Sequence, residues 1–239
     1  MKPQQRMHMF LIAISYCLAG SSRLSADEVL AKLLVDDFEQ GMSHWRTTDP
    51  RQPYWEIRKL NTSGKPNHVL RVLGKSNYQP PHRSPKSIAL LKEIVVSDFE
   101  LTVRVQSTNP SAGGGRDMCL FWGYQDPSHF YYVHLGGEAS PTHCQIFIVN
   151  DAPRKRITTK QAKGTPWTEG WHVVRIARRV TEGTVAVYFD DMTNPLMSAD
   201  DNEFAWGQVG LGTFDDHGNW DDFQLRGTLV DPDRRPALK

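Results

Sequence analysis

The sequence predicts an all-β domain, a sandwich or a barrel, on three observations. Short runs rich in β-branched and aromatic residues recur along the chain, Gly, Pro, Asn and Asp punctuate them, and no long helical periodicity competes. The first 26 residues are expected to lie outside that fold. Lys2 and Arg6 precede the apolar run Met9 to Ala19, and a small-residue segment ends at Ser25-Ala26 before acidic Asp27. This is the layout of a secretory signal peptide, which predicts a secreted or periplasmic chain. Tyr16 beside Cys17 argues against lipoprotein processing, and the apolar run is too short to persist as a membrane anchor. Residues 27–35 read as a leader, with Ala26 to Leu34 the one helix-like piece.

The domain itself is expected over residues 36–229, with residues 230–239 as a disordered tail. Strand-like runs fall at Trp55 to Lys59, Val69 to Leu73, Ser87 to Leu91, Phe99 to Gln106, Trp171 to Arg178 and Thr184 to Asp190. Tyr78 to Pro85, YQPPHRSP, reads as a stiff loop, and Asn109 to Gly115, NPSAGGG, as a mobile one. No internal repeat and no linker divides the chain. No later stretch is apolar enough to span a membrane.

Loss of the signal peptide removes Lys2, Arg6 and Arg23 and no acid, leaving 25 basic against 27 acidic residues, a formal net charge of −2. That balance argues against nucleic acid as a partner. About 200 residues remain, enough to bury a core in one domain.

Three successive strands from Arg116 to Val149 hold the densest aromatic content. Met118 to Tyr124 and Phe130 to Leu135 flank the turn-formers Gln125-Asp126-Pro127-Ser128-His129, which is a hairpin pattern. If Tyr124 opposes Phe130, then Trp122 opposes Tyr132 and Leu120 opposes His134. Arg116, Trp122, Tyr124, Tyr132 and His134 then share one face and make a candidate saccharide-binding surface, since aromatic rings stack on pyranose rings and polar tips bond hydroxyls. Cys119, Phe121, Val133 and Leu135 take the other, apolar face. The same stripe also suits a second buried layer of a sandwich. If the connection from Gly136 to His143 pairs Leu135 with Cys144, the two mature cysteines lie about 10 Å apart. Two separate, buried thiols are expected rather than a disulfide.

Two segments resemble the concanavalin A-like lectin/glucanase superfamily, laminin-G-like modules included. Trp171-His172-Val173-Val174-Arg175-Ile176, then Gly183 and Val185 to Asp190, is similar to its W-H-x-V-x-V … G-x-x-x-x-Y-x-D hairpin. Gly207-Gln208-Val209-Gly210-Leu211-Gly212, then Trp220-Asp221-Asp222-Phe223, is similar to its closing strands, and the opening Asp37-Phe38-Glu39-x-Gly41 before Trp45 also resembles that superfamily. The chain looks especially like the secreted bacterial 3-keto-disaccharide hydrolase-like domains. The resemblance implies a two-sheet antiparallel jelly-roll β-sandwich with a concave sheet that often binds glycans; it does not imply a particular chemistry. Trp171, Val173, Tyr188 and Trp220 are expected in the core, Gly183 in a tight turn, and His172 on the outside.

Catalytic signatures are sparse. The E-x-D-x-x-E or E-x-D-x-E carboxylates of the family-16 glucanases are absent, and a glycosidase needs such a pair about 5 Å or more apart. Acidic doublets such as Asp215-Asp216 sit at turns, where solvated turn formers are common. A jelly-roll polysaccharide lyase instead uses Arg or Gln to neutralise a uronate and Tyr or His to move the proton. Tyr132, His134, Arg116 and Gln145 are the candidates for those roles, with His134 opposite Gln145. Catalytic zinc has no matching His or Cys spacing. Asp37 and Asp222 are candidate ligands for a structural calcium, because the first and last strands lie side by side in the resembled fold; no other cofactor is expected.

Three functions therefore stand open. One is a secreted domain that binds a polysaccharide or oligosaccharide on the aromatic face. Another is a glycoside hydrolase or polysaccharide lyase using the same face, and the last is a structural or cell-surface interaction module whose aromatics are all buried.

Overall fold

The computed structural model describes residues 30–49, 54–62, 65–74 and 76–231. The expected signal peptide and most of the expected tail lie outside the described residues. In chain order the strands are β1 (Ala31–Asp36), β2 (Trp45–Thr47), β3 (Trp55–Thr62), β4 (Lys65–Leu73), β5 (Ser87–Leu91), β6 (Val96–Ser107), β7 (Cys119–Asp126) and β8 (His129–His134). They continue with β9 (Gln145–Asn150), β10 (Lys155–Arg156), β11 (Thr158–Gln161), β12 (His172–Arg179), β13 (Thr184–Phe189), β14 (Met197–Asp200), β15 (Gln208–Thr213) and β16 (His217–Leu229). A nine-stranded sheet runs β11-β14-β13-β12-β6-β16-β4-β3, with β1 also paired to β16, and a seven-stranded sheet runs β10-β9-β8-β7-β15-β5-β2. Both are open and every pairing is antiparallel. The chain is thus a two-sheet sandwich and not a barrel. Among the described residues no helix is long and apolar enough to cross a membrane.

The core lies between the sheets, where Leu101, Val103, Ile176, Trp220 and Phe223 face Leu120, Trp122, Tyr131, Val133 and Leu211. The expected strands all form, because their β-branched and aromatic runs fit a pleated, half-buried surface. The expected leader does not hold as such: Ala31–Asp36 is a strand on the edge of β16, its register broken between Lys32 and Leu34. Adjacent Leu33-Leu34 mimics a helical stripe, but a bulge accommodates both.

Two face assignments are corrected. On β12 the inward residues are His172, Val174, Ile176 and Arg178, whereas Trp171 and Val173 are only half-buried. His172 is held inside by Asp190 (Nδ1 to Oδ2, 2.7 Å) and by the Thr168 N–H, which donates to Nε2 at 3.0 Å. Arg178 donates to the carbonyls of Gly183 and Asp201 at 2.8 and 2.7 Å. His172 and the terminal amino groups of Arg178 find partners inside, although Arg178 Nε has none, and Trp171 and Tyr188 are turned outward, where Arg104 and Arg175 lie over their rings at 4.8 and 4.1 Å. Trp220 is core as expected, and Gly183 makes the turn at φ +72°.

The second correction concerns β7 and β8. The strands pair Cys119 with His134, Leu120 with Val133, Phe121 with Tyr132 and Trp122 with Tyr131. Trp122 does not oppose Tyr132, nor Leu120 His134. Gly123, at φ +58°, forms a bulge that breaks the register to both β8 and β15, and the turn closes on Asp126 opposite His129. One extra residue exchanges the faces of everything before it. Leu120, Trp122, Tyr131 and Val133 therefore point into the core, while Cys119, Phe121, Tyr132 and His134 take the outer face, joined by Tyr124 beyond the bulge.

That outer face is a second buried layer, with Ile88, Phe121, Tyr124, Phe130, Tyr132 and Phe147 at its centre. The loop of residues 76–86 lies across it. Gly74 and Ser87 at its two ends are bonded (Oγ to O, 2.6 Å), while His82 near its tip reaches Asp151 beyond β9 at 3.3 Å. Given the strand order, the loop must cross β15, β7 and β8. Pro80, Pro81 and Pro85 each fix one backbone angle of this strap.

The NPSAGGG segment is a 3-10 helix, Pro110–Gly115, and not an open loop. Asn109 donates to Asp216 at 2.6 Å and the Glu138 N–H to the Gly114 carbonyl at 3.1 Å. Cys119 and Cys144 are both free and buried, in the outer and inner layers respectively. Opposite layers explain why no bridge forms.

Candidate functional site

At one end of the strap the outer face of the seven-stranded sheet opens into a cavity of about 190 Å³, lined by Arg83, Gly115, Asp117, His134, His143, Arg154, Phe214 and Asp215. Arg154, in the turn after β9, dominates it. Its guanidinium lies over Phe147 at 4.6 Å and Phe214 at 4.9 Å, and Nη1 donates to the Tyr132 hydroxyl at 2.8 Å. Two rings and a hydroxyl thus fix a cation without neutralising it. Cation–π contacts of this kind contribute roughly 0.5–2 kcal/mol each. Arg83, exposed on the strap, brings a second guanidinium, and neither arginine makes an ion pair among the described residues.

Because Tyr132 is fully buried, its hydroxyl positions Arg154 and does not face a ligand. Tyr132→Phe is expected to cost about 1 kcal/mol in urea unfolding, the worth of one hydrogen bond, with the fold kept. A loss above about 3 kcal/mol would show that the hydroxyl holds more than Arg154.

His134 forms part of the wall. Its Nδ1 faces the Thr142 carbonyl at 3.0 Å and its Nε2 the Arg116 carbonyl at 3.1 Å. Two carbonyls favour the doubly protonated ring, but burial, then the neighbouring His143 and Arg154, push its pKa down to about 3. Burial beside a fixed cation outweighs one extra hydrogen bond, so the ring is neutral near pH 7 and serves to hold the 136–143 connection. His143 packs edge-on against it at 5.0 Å and its Nδ1 meets the Ser140 hydroxyl at 3.0 Å. The Nε2 of His143 makes no hydrogen bond among the described residues, so it can serve a ligand.

Opposite stand three carboxylates. Asp117, Asp215 and Asp216 bring oxygen atoms within 4.8 Å of one another. Asp117 accepts from the Thr213 hydroxyl and from the Asp215 and Asp216 N–H groups at 3.1 and 3.3 Å. Asp216 accepts from Asn109 and from the Asp117 N–H at 2.6 and 3.0 Å. Burial, with Asp216 alongside, pushes Asp117 up to about 7, and burial raises Asp216 as well. These oxygens are spent on N–H and O–H donors that lock the β15–β16 turn onto the start of β7. The cluster is a latch, and two of its members, Asp117 and the exposed Asp215, line the cavity.

The other sequence candidates scatter. His134 and Gln145 are direct cross-strand partners, as expected, and lie on the same face as Tyr132. Arg116 is buried and contributes its carbonyl to His134, while its Nε has no partner. Trp122 is 2% exposed within the inter-sheet core, so it is not on the candidate surface, and Tyr124 is 4% exposed. Asp36 is the last β1 residue paired with β16, opposite Phe223. Asp222 accepts from Arg104 at 3.1 Å and Asp37 from the Glu39 N–H at 3.3 Å.

Arg154, Arg83, His143 and Phe214 were not among the sequence candidates. The only local signal was the basic turn Arg154-Lys155-Arg156 after an aromatic strand.

No family model matches the chain, and no curated protein matches it in sequence. Solved structures match in fold. The cellulose induced protein Cip1 aligns with a TM-score of 0.56 at 13% identity, over 83% of this chain and 99% of its own. Carbohydrate binding module CBM66 from Bacillus subtilis aligns at 0.52 and 17% identity, over 78% and 98%. The winged bean acidic lectin, in complex with methyl-alpha-D-galactose, aligns at 0.50 and 14% identity, over 82% and 97%. At such identities the likeness is one of fold, the concanavalin A-like jelly-roll sandwich that the sequence motifs resemble.

Proposed function

We propose that the chain is an exported carbohydrate-binding domain that holds a glycan in the Arg154 cavity. One observation carries this: a guanidinium pinned between Phe147 and Phe214 by the Tyr132 hydroxyl, lining a cavity that also offers His143, Asp215 and Arg83. Pre-set donors and acceptors around an aromatic floor suit sugar hydroxyls, and fixing them before binding lowers the ordering cost. The fold supports the proposal, since CBM66 is a carbohydrate binding module and the winged bean protein is a lectin. Recognition on this face rests on polar groups. Trp122, Tyr124 and Tyr132 are too buried to stack on a sugar ring.

The test is retention of residues 27–239 in native gels containing a panel of soluble polysaccharides. At least one glycan is expected to retard the domain, and Arg154→Ala to weaken that retention at least tenfold, about 1.4 kcal/mol. Unchanged retention in the variant would move the site elsewhere.

A second reading, a carbohydrate-active enzyme, is favoured by the carboxyl of Asp117 at about 7 in the cavity wall, within the range of a general acid or base. It predicts release of reducing or unsaturated ends from the retained glycan, and loss of that release in Asp117→Asn.

A further inference from the structure

A second cavity, of about 440 Å³, opens at the β9–β10 edge of the seven-stranded sheet, where Gln161 of β11 from the other sheet joins its lining. Ser140, Gln145, Arg156, Gln161 and Lys163 contribute its polar lining, and no acidic residue does. The two cavities adjoin, because His134 lines one, Gln145 lines the other, and these residues are direct cross-strand partners. The 139–143 turn borders both, with Ser140 lining the second cavity and His143 the first, and it is held by the Gln145 amide, which donates to the Ser140 carbonyl at 2.7 Å. Gln145 Oε1 is buried and makes no hydrogen bond, an acceptor left for a hydroxyl.

We propose that the ligand is an acidic polysaccharide, bearing carboxylate or sulfate groups, that crosses both cavities along a cationic track of Arg83, Arg154, Arg156 and Lys163. This rests on the carbohydrate-binding proposal above and specifies its ligand. None of the four cations makes an ion pair among the described residues, although the mature chain has slightly more acids than bases. Three arginines elsewhere are ion-paired, Arg71 with Glu56, Arg104 with Asp221 and Asp222, and Arg179 with Glu100, whereas these four side chains line cavities. Unpaired cations lining two adjoining cavities of a nearly neutral protein set up a local positive field that receives negative charge. The planar guanidinium of Arg154, fixed by its two rings, suits the two oxygens of a carboxylate. Asp215, also in the lining of the first cavity, repels negative charge placed against it and offers an acceptor to a hydroxyl, so the acidic groups sit at Arg83 and Arg154. A cavity that takes sugar hydroxyls at Gln145 and Ser140 and charge at Arg156 and Lys163 then repeats the arrangement one or more residues along the chain.

The experiment is affinity electrophoresis in polygalacturonate, alginate and chondroitin sulfate, with carboxyl-reduced polygalacturonate and a soluble cellulose derivative as neutral counterparts and single-stranded DNA as a charge control. At least one acidic glycan is expected to retard the domain tenfold more than its neutral counterpart, with the effect weakening as salt is raised. Arg154→Gln and the double variant Arg156→Gln/Lys163→Gln are each expected to lose at least fivefold. Retardation by neutral glycans alone would overturn the acidic ligand and leave carbohydrate binding standing. Retardation by none of the glycans would overturn both proposals, and equal retardation by DNA would overturn glycan recognition in favour of unspecific charge. Loss in Arg154→Gln without loss in the double variant would overturn the two-cavity track. Arg156 and Lys163 lie in exposed or loop positions, and Arg83→Gln, also exposed, reads the first cavity if Arg154→Gln fails to fold.

Discussion

Trp122→Ala is expected to lower the unfolding free energy by about 3–5 kcal/mol, the range for an aromatic side chain deleted from a packed core, while the folded fraction keeps its glycan retention. The reason is the Gly123 bulge. With Trp122 paired to Tyr131 and stacked on it at 5.7 Å, the indole fills the space between the sheets and touches none of the cavity. Surface stacking would give the opposite pattern, with stability nearly unchanged and retention lost. Trp122→Phe sharpens the comparison. The indole Nε1 is buried without a partner, so phenylalanine sacrifices volume but removes an unmet donor, and the cost should fall to about 1–2 kcal/mol. Urea unfolding followed alongside gel retention checks both variants. Lost retention in a stably folded Trp122→Ala protein would contradict the inward placement.

What the sequence shows and hides follows from the range of the interactions involved. Strands such as β6, β12 and β13 are legible because alternation and β-branched content are written within a few consecutive residues. Which face points inward is not local. On β12 the choice between Trp171 and His172 depends on Asp190 and Thr168, which satisfy the imidazole, and on Arg104, which covers the indole. Hydrophobicity alone favours the tryptophan. On β7 a lone glycine inside an apolar run was the available sign of a bulge, and reading through it exchanged the faces of Trp122 and Phe121. The cavity was less legible still. Arg83, Asp117, Arg154 and Asp215 come from four separate connections that converge only after the strap crosses the sheet, so no spacing in the chain encodes them. The thiols were legible for the converse reason: Cys119 and Cys144 are fixed by two neighbouring hairpin registers, and a one-residue error still leaves them apart.

Asp117 supplies the other large expected effect, a pH dependence that its replacement removes. Its carboxyl is pushed up to about 7 by burial beside Asp216, against about 3.9 in an unfolded chain. The folded state therefore favours the protonated acid. The stability this contributes is fully present below about pH 4 and is lost as pH rises through 7, a change of about 2–4 kcal/mol at 1.4 kcal/mol per unit. Asp216, raised in the same direction, adds to it. The parent protein masks much of the slope, because His134 titrates with the opposite sign. Its folded value of about 3 lies below the unfolded 6.5, so the stability it contributes is present above pH 6.5 and lost as pH falls toward 3. The two trends oppose each other between about pH 4 and 6.5. Asp117→Asn separates them. The amide still accepts from Thr213 and the Asp216 N–H, but its NH₂ replaces the acceptor for the Asp215 N–H, a constant penalty of about 1 kcal/mol. Relative to the parent, the variant should gain stability steadily from pH 4 to 8, so that the variant-minus-parent difference in urea unfolding free energy slopes upward while the His134 contribution cancels. A difference that stays flat across that range would mean that Asp117 is ionised throughout, and that the latch joining the β15–β16 turn to β7 holds a charge and not a proton.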